Sequence, residues 1–329
     1  MKGLGPKAIE VGIIGLGYVG LKEAVAFSDA NIKVRGYDIN IEKVTKINNG
    51  ISPIGTVDNQ EIDRMLKKGC IFTTDYEQLI GSNFLIIAVP TPLGVHREPN
   101  LEYLNKAMLM ISKIYDNSKV IIMESTTYPG CTDEMIEEYI NTKGFMANYA
   151  FCGEREDPGG ESKFADIPRV LGASNPETLE ACKNLYEQIV SSVHEVSSVC
   201  VAEITKLYEN IYRAVNIGLV NEFKMLCLKM NIDPFEVINA ARTKPFGFRP
   251  FFPGPGLGGH CIPIDPFYLT WTAKKYDLNL QFIELSGIVN SLMPEYVVDK
   301  LIIDIKKYSY KRIVDRTIHQ CSNGLGMRH

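Results

Sequence analysis

Residues 9–20 read IEVGIIGLGYVG, and this stretch decides the fold. Its first half is rich in aliphatic and β-branched residues, as in a buried strand, and its second half follows the spacing GxGxxG. Glycines at that spacing allow a tight turn, the close approach of a pyrophosphate and tight helix packing, while the helix N-terminus attracts negative charge. An amphipathic segment continues to about residue 30. The stretch predicts a strand, a turn and a helix that bind a dinucleotide, and a chance glycine-rich turn is the alternative.

A second strand is predicted over residues 33–37, and it ends at Asp38. This acid follows the fingerprint by about 20 residues, where a carboxylate accepts hydrogen bonds from a ribose 2′-hydroxyl. A carboxylate there also repels a 2′-phosphate, which favours NAD over NADP. Predicted strands and helices alternate as far as residue 191, with the buried strand 84–89 among them. We therefore expect an α/β fold with a Rossmann-like doubly wound sheet.

Three loops that follow predicted strands carry polar or proline-rich residues. Such loops face the ligand in an open α/β sheet. Pro90-Thr91-Pro92 either lines the cofactor crevice or makes an ordinary turn. Thr126 and Thr127 either contact nicotinamide, position a water molecule, or cap the helix that follows. Glu154 lies in a charged turn, which is either a ligand site or a solvated turn.

A proline-free segment from residue 201 to residue 230 has apolar side chains at helical spacing. It predicts one long central helix that connects domains or forms an oligomer interface. Lys206 and Asn210 are four residues apart on it and share a face. Both side chains can donate hydrogen bonds to a developing oxyanion, and an exposed polar stripe is the alternative. A mostly helical middle domain follows, with helices predicted at 234–241, 266–276, 282–292 and 296–305.

Residues 253–269 read PGPGLGGHCIPIDPFYL, and this composition excludes a regular helix or a central strand. Backbone amides in such a glycine-rich loop can approach a ligand closely. The loop also presents the thiol of Cys261 four residues before Asp265. A thiol beside a carboxylate indicates a catalytic site, whereas a surface loop with a chance cysteine is the plainer alternative.

Composition and charge narrow the function. The chain has 329 residues, 45% of them hydrophobic, and a formal net charge of −4, so we expect neither nucleic acid nor a membrane surface as partner. The eight cysteines show no CxxC pair and no metal-like spacing. We therefore expect a reducing, cytoplasmic location and no metal site. The predicted divisions are a Rossmann-like domain at 1–198, a helical domain at 199–305 and an irregular tail at 306–329.

Seven ordered motifs together resemble the nucleotide-sugar (UDP-glucose/GDP-mannose) 6-dehydrogenases, and among them the bacterial UDP-N-acetyl-D-glucosamine 6-dehydrogenases most. The resemblance implies NAD-dependent, four-electron oxidation of the C6 alcohol of a UDP-N-acetylhexosamine. Ile264 stands where UDP-glucose enzymes tend to carry lysine, which supports the N-acetylated substrate group. Within that group the resemblance favours UDP-N-acetylglucosamine. The motifs are GLGYVG at 15–20, VPTPL at 89–93, HREPN at 96–100, ESTTYPG at 124–130, GEREDPG at 153–159, EITKLYENIYRAVNI at 203–217 and PGPGLGGHCIPIDPFYLTW at 253–271.

The resemblance also implies a role for individual residues. Cys261 would trap the aldehyde as a thiohemiacetal and then form a thioester. Lys206 and Asn210 would stabilise the oxyanions, and Asp265 would transfer protons. The cofactor would contact Gly15, Gly17, Tyr18, Val19, Gly20, Asp38, Pro90, Thr91 and Thr126, the water would be positioned by Thr126 and Glu154, and the UDP-sugar would contact Glu154, Lys206, Asn210, Arg213, Phe246, Gly256, Leu257 and Gly258. A homodimer through the central helix is implied as well.

The chain departs from the family pattern in three places. Cys152-Gly153 replaces the usual Ser-Pro before Glu154, which is expected to loosen that residue. Lys22 and Glu23 put charge on a helix that normally packs small apolar residues against the sheet. The chain also ends where a C-terminal UDP-binding domain is expected to begin. An inactive remnant that binds NAD or dimerises is therefore one alternative, and a two-electron β-hydroxyacid dehydrogenase, which Cys261 argues against, is another.

Overall fold

The computed structural model describes residues 9–155, 163–258, 262 and 264–308. The chain divides into two compact units. The first comprises Met1–Gly94 and Pro99–Lys206, and the second comprises Val95–Glu98 and Leu207–His329.

The first unit contains a sheet of eight strands. Their bounds are β1 Glu10–Ile14, β2 Lys33–Tyr37, β3 Ile71–Thr73, β4 Phe84–Ile87, β5 Val120–Met123, β6 Asn148–Phe151, β7 Arg169–Ala173 and β8 Val193–Glu195. The strand order is β3-β2-β1-β4-β5-β6-β7-β8, and every neighbouring pair is parallel except β6 with β7. Strands β1, β4 and β5 are buried along their whole length, as expected for a sheet covered by helices on both faces. This arrangement confirms the predicted α/β class and the Rossmann-like doubly wound sheet.

Six helices of the first unit alternate with these strands. They are α1 Tyr18–Asp29, α2 Ile41–Asn48, α3 Asn59–Lys67, α4 Glu102–Ile114, α5 Cys131–Tyr139 and α6 Pro176–Tyr186. The sequence analysis missed α3, although its start carries a recognisable signal. The carboxylate of Asp58 accepts a hydrogen bond from the amide of Glu61, and the Asp58 amide donates one to the Glu61 carboxylate. This reciprocal capping box fixes the first turn of α3.

The long central helix is α7, Val199–Lys229, and it crosses from the first unit into the second. The second unit adds α8 Pro234–Ala241, α9 Asp265–Ala273 and α10 Gln281–Tyr308. None of the helices in the described residues is both long and apolar enough to cross a membrane.

The prediction of two helices at 282–292 and 296–305 was wrong. Helix α10 is continuous and contains Pro294 in its interior. A proline there removes one amide donor and crowds the preceding turn, which usually ends or kinks a helix. Tertiary packing overrides that cost, because Met293 is buried and the buried Asn290 side chain donates a hydrogen bond to the Ala214 carbonyl of α7.

Candidate functional site

The three fingerprint glycines have three different physical reasons to be glycine. Gly15 has a φ of +98°, and a Cβ on it would collide with the carbonyl of Ala88, which directly follows β4. A Cβ on Gly20 would collide with the Gly15 carbonyl, so Gly20 allows α1 to pack closely on the turn. A Cβ on Gly17 would have nothing within 4 Å, which leaves open space where a pyrophosphate has to approach. The cradle therefore fits a dinucleotide.

The N-terminus of α1 is suited to an anion. Gly17 occupies its N-cap position without a side-chain cap, and the first turn contains no acidic residue. The first amide groups of a helix have no partner within the helix, and together with the helix dipole they attract phosphate. Tyr18 is exposed and Val19 is half-buried at the same end. The residues that the fingerprint assigned to the cofactor therefore line one open helix end.

Asp38 ties the fingerprint turn to the end of β2. Its Oδ2 accepts a hydrogen bond of 2.9 Å from the Leu16 amide, and its Oδ1 accepts one of 2.9 Å from the Asn40 amide. The Nζ of Lys43 also lies 2.5 Å from Oδ2. The sequence analysis assigned Asp38 to the ribose and missed Lys43, which stands on the first turn of α2 and partly neutralises that carboxylate.

The loop that follows β4 is held by Ser125, which the sequence analysis did not single out. The Val89 amide donates to the Ser125 hydroxyl over 2.9 Å, and that hydroxyl donates to the Val89 carbonyl over 2.8 Å. Directly after this anchor, Pro90 is exposed and Thr91 is half-buried. The loop is thereby fixed to the carboxyl end of β5, beside the segment that carries Thr126.

The two threonines of that segment differ in their surroundings. Thr127 is buried and donates to Glu203 of α7 over 3.1 Å, and the same carboxylate accepts from the amides of Gly130 at 2.6 Å and Thr132 at 3.0 Å. Glu203 therefore caps α5 from another helix, a role that the sequence does not signal. The Thr126 side chain is half-buried, and its hydroxyl has no hydrogen-bond partner in the described part of the chain.

The segment that carries Glu154 is packed where it leaves β6, and the expectation that Cys152-Gly153 loosens Glu154 itself stays a prediction. Cys152 and Gly153 are buried, and the Cys152 amide donates to the Met123 carbonyl of β5 over 3.0 Å. A Cβ on Gly153 would lie 2.9 Å from the Phe151 ring, so a larger residue there would require that ring to shift. The ammonium of Lys206 donates to the Glu154 carbonyl. Two predicted site residues thus meet within the first unit.

A second pair meets within the second unit. The Asn210 amide donates to Oδ2 of Asp265 over 2.5 Å. Asp265 is the first residue of α9 and is 1% exposed. A buried carboxylate needs such donors to remain ionised, and at the start of a helix it also interacts favourably with the helix dipole. Asn210 and Asp265 are therefore a preorganised amide and carboxylate pair.

The base of the glycine-rich loop is anchored by polar groups of the second unit. The Gly254 amide donates to the buried Asn221 side chain over 3.0 Å, and the Gly254 carbonyl accepts from Lys224 over 3.2 Å. Burial lowers the pKa of Lys224. The Asn221 amide in turn donates to Asn290 of α10 over 3.2 Å. The sequence analysis did not assign Lys224 or Asn290, because their roles depend on contacts between α7, the loop and α10.

The other predicted site residues belong to neither of these pairs, and Cys261 lies outside the described residues. Arg213 and Phe246 are exposed. Gly256 and Gly258 have φ values of +148° and +64°, which favour glycine, and Leu257 between them is half-buried. Within the described residues, no group of three or more His, Cys, Asp and Glu side chains forms a candidate metal site.

With this geometry established, comparison with known proteins gives a family. Residues 9–190 match the NAD-binding domain of the UDP-glucose/GDP-mannose dehydrogenase family, and residues 185–291 match the central domain of that family. The chain belongs to this family. As a member it is an NAD-dependent nucleotide-sugar dehydrogenase, and NAD is the dinucleotide that fits the fingerprint cradle.

Similar proteins in the family carry two different sugar names. The chain is 36% identical over 322 residues to the UDP-N-acetyl-D-glucosamine 6-dehydrogenase of Pseudomonas aeruginosa, which covers 95% of this chain and 73% of that protein. It is 34% identical to the UDP-N-acetyl-D-mannosamine dehydrogenase of Pyrococcus horikoshii, and that match covers 92% of this chain and 73% of that protein. A solved UDP-D-ManNAc dehydrogenase structure from Pyrococcus horikoshii superposes with a TM-score of 0.85 at 32% identity and again covers 92% of this chain and 73% of that one. The chain thus spans about three quarters of the length of these family members.

Proposed function

We propose that the chain oxidises the C6 alcohol of a UDP-N-acetylhexosamine to the carboxylic acid in two successive two-electron steps. The relatives that support this substrate class are named for UDP-N-acetyl sugars. By the family resemblance, the groups that act with the Cys261 thiol are Lys206, Asn210, Asp265, Thr126 and Glu154. Ile264 stands where UDP-glucose enzymes tend to carry lysine, which supports the N-acetylated substrate group. Within that group UDP-N-acetylglucosamine is the favoured substrate, because the 36% identical relative is named for it.

The proposed reaction consists of two hydride transfers from the sugar, separated by addition of a thiol and followed by hydrolysis. The fingerprint cradle of Gly15, Gly17 and Gly20 would hold NAD, which would supply the hydride acceptor for each oxidation, so each sugar would require two NAD. The first oxidation converts the alcohol to the aldehyde, and the Cys261 sulfur adds to that carbonyl to give a thiohemiacetal. The second oxidation converts the thiohemiacetal to a thioester. Water then cleaves the carbon–sulfur bond, so its oxygen enters the carboxylic acid and the thiol is regenerated.

The observation that carries this proposal is the hydrogen bond between Asn210 and the buried Asp265. Asp265 is four residues beyond Cys261 in the sequence, so the pair stands at the exit of the thiol loop. A buried carboxylate held by an amide can receive and return the protons that accompany each addition and cleavage. The remaining donor of an amide held in this way can stabilise an oxyanion without reorganising.

NADH production tests the proposal with three UDP-sugars, namely UDP-N-acetylglucosamine, UDP-N-acetylmannosamine and UDP-glucose. We expect the highest kcat/KM with UDP-N-acetylglucosamine and two NADH per sugar consumed. Cys261→Ser is expected to lose uronic acid formation, because a hydroxyl is a much weaker nucleophile than a thiol. Cys200→Ser, at a half-buried cysteine on α7, is the matched control and should retain activity. One NADH per sugar with full activity in Cys261→Ser would refute the covalent route.

We also propose that two copies of the chain associate through α7. Several apolar side chains of this helix remain exposed at intervals of four and seven residues, so they form one stripe. They include Tyr208, Tyr212, Leu219 and Leu226. A continuous apolar stripe on a soluble helix usually marks an interaction surface.

A further inference from the structure

A buried cluster of charged groups lies beneath the carboxyl ends of β5 and β6, and the proposed chemistry does not use it. Glu23 of α1 and Arg169 of β7 form an ion pair of 2.5 Å, and their side chains are 0% and 2% exposed. Glu124 directly follows β5 and is 3% exposed. Its Oε1 accepts a hydrogen bond from the fully buried Tyr186 hydroxyl of α6. All four residues belong to the first unit.

Two acceptor atoms in this cluster lack a donor. Among the described residues, Oε2 of Glu23 and Oε2 of Glu124 are buried and have no hydrogen-bond partner, and neither has the buried Nη1 donor of Arg169. The two carboxyl groups nevertheless lie within hydrogen-bonding reach of each other. Two carboxylate oxygens cannot bond to each other unless one of them carries a proton. One proton shared by the two carboxyl groups gives each of them a hydrogen bond.

The charge balance of the cluster leads to the same conclusion. Two ionised carboxylates and the Arg169 guanidinium would leave a net negative charge buried beyond the reach of water. An unbalanced buried charge is costly, and a carboxyl in that position takes up a proton instead. The guanidinium bonds to Glu23, so Glu23 is the ionised partner. Glu124, whose neighbours are Tyr186 and Glu23, is the one that becomes neutral.

We propose that Glu124 is protonated at neutral pH and donates that proton to Glu23, fastening the cofactor-binding helix α1 to the end of β5. Glu124 is a positioning residue in this arrangement. It stands two residues before Thr126, and its neighbour in register, Cys152, stands two residues before Glu154. The charge on Glu23, a departure from the family pattern, is therefore part of a clamp between the NAD fingerprint helix and two site segments. This inference depends on NAD binding and not on the proposed sugar chemistry.

The clamp depends on pH because one of its bonds is a shared proton. Burial, followed by the negative charge of Glu23, holds the pKa of Glu124 well above its ordinary value. The folded chain therefore keeps a proton that the unfolded chain releases, so the free energy of unfolding falls as pH rises from the ordinary carboxyl pKa through the raised one. The charged and titratable groups that face the pair are Arg169 of β7, Tyr186 of α6, Cys152 after β6 and, through longer-range interaction with Glu23 and Arg169, Glu154.

Infrared spectroscopy of the full chain tests the shared proton directly, because a protonated carboxyl absorbs apart from carboxylates. The wild type should show this band at neutral pH, and Glu124→Gln should lack it. Glu10→Gln is the matched control, because Glu10 is also a buried carboxylate paired with an arginine, Arg35, in the same sheet. This variant should retain the band. Absence of the band from the wild type, or its survival in Glu124→Gln, would overturn the assignment.

NAD titration across pH tests the positioning role. Wild-type affinity should fall as the pair loses its proton, whereas Glu124→Gln should hold its affinity constant because an amide donates at every pH. Tyr186→Phe removes a donor that favours the charged form of Glu124, so the wild-type loss should move to higher pH. Parallel loss of affinity in wild type and Glu124→Gln would refute the clamp. Should Glu124→Gln fail to fold, the presence or absence of the Tyr186→Phe shift decides the question.

Discussion

At the scale of single residues, the fingerprint glycines separate folding from binding. Gly20→Ala places a Cβ against the Gly15 carbonyl, which is backbone and cannot move aside. We expect it to lower the free energy of unfolding by about 1–3 kcal/mol or more, as overpacking does. Gly17→Ala has open space around its Cβ, so it should fold normally and weaken NAD binding.

Chemical denaturation and calorimetry with NAD measure the two effects separately. The two variants add the same methyl group three residues apart, so each serves as the control for the other. Equal destabilisation by both, or unchanged NAD affinity in Gly17→Ala, would contradict the roles assigned to these glycines.

The Asn210 and Asp265 pair gives a second prediction at this scale, which depends on the proposed function. Asn210→Asp keeps the side-chain shape but sets a carboxylate against Asp265 and removes the amide donor. We expect kcat to fall by about 10²–10³-fold, as for loss of one oxyanion donor. Asn216→Asp on the same helix is the control, because the Asn216 side chain donates to the Tyr212 carbonyl at the exposed surface. Steady-state kinetics would contradict the assignment if both variants lost kcat equally.

Several residues of the site could be predicted from the sequence because their chemistry is local. The glycine spacing and the acid at the end of β2 belong to one strand, turn and helix unit, so the motif carries its own geometry. Lys43 is local too, five residues after its partner Asp38, and was missed. Ser125 and Glu203 could not be predicted in the same way. Ser125 and Glu203 act through partners 36 or more residues away in sequence, and only the fold brings those partners together.

At the scale of elements, Glu203 joins α7 to the start of α5. Glu203→Gln replaces one carboxylate oxygen with an amide donor that faces the donors of Gly130 and Thr132. At least one buried amide then loses its acceptor, so we expect the free energy of unfolding to fall by about 2 kcal/mol. Denaturant titration measures this loss. Glu222→Gln, on the exposed face of the same helix, should change stability by less than about 0.5 kcal/mol.

A loss no larger in Glu203→Gln than in Glu222→Gln would show that the cap is dispensable.

The elements also show where sequence patterns were insufficient. Helix α3 begins with the reciprocal pair Asp58 and Glu61, a local signal that was present in the sequence and missed. The unbroken α10 could not be foreseen, because Pro294 predicts a break that the burial of Met293 and the packing of Asn290 against α7 offset.

At the scale of the whole molecule, the exposed stripe of α7 requires an explanation in solution. Leu219 and Leu226 are 65% and 56% exposed, and they lie seven residues apart on one side of the helix. Covering such a side chain contributes about 1.5–3 kcal/mol. A symmetric pair of chains covers the stripe twice, and this favours a dimer over a monomer that leaves the surface in water.

Light scattering at micromolar concentration tests this expectation. The wild type should have the mass of a dimer, and Leu219→Glu should have the mass of a monomer, because association would bury an unpaired carboxylate in the apolar stripe. Leu109→Glu is the matched control, because Leu109 is 52% exposed on α4, a different helix, and its variant should remain dimeric. A monomeric wild type would refute the dimer. A dimeric Leu219→Glu would show instead that the two copies meet through another surface.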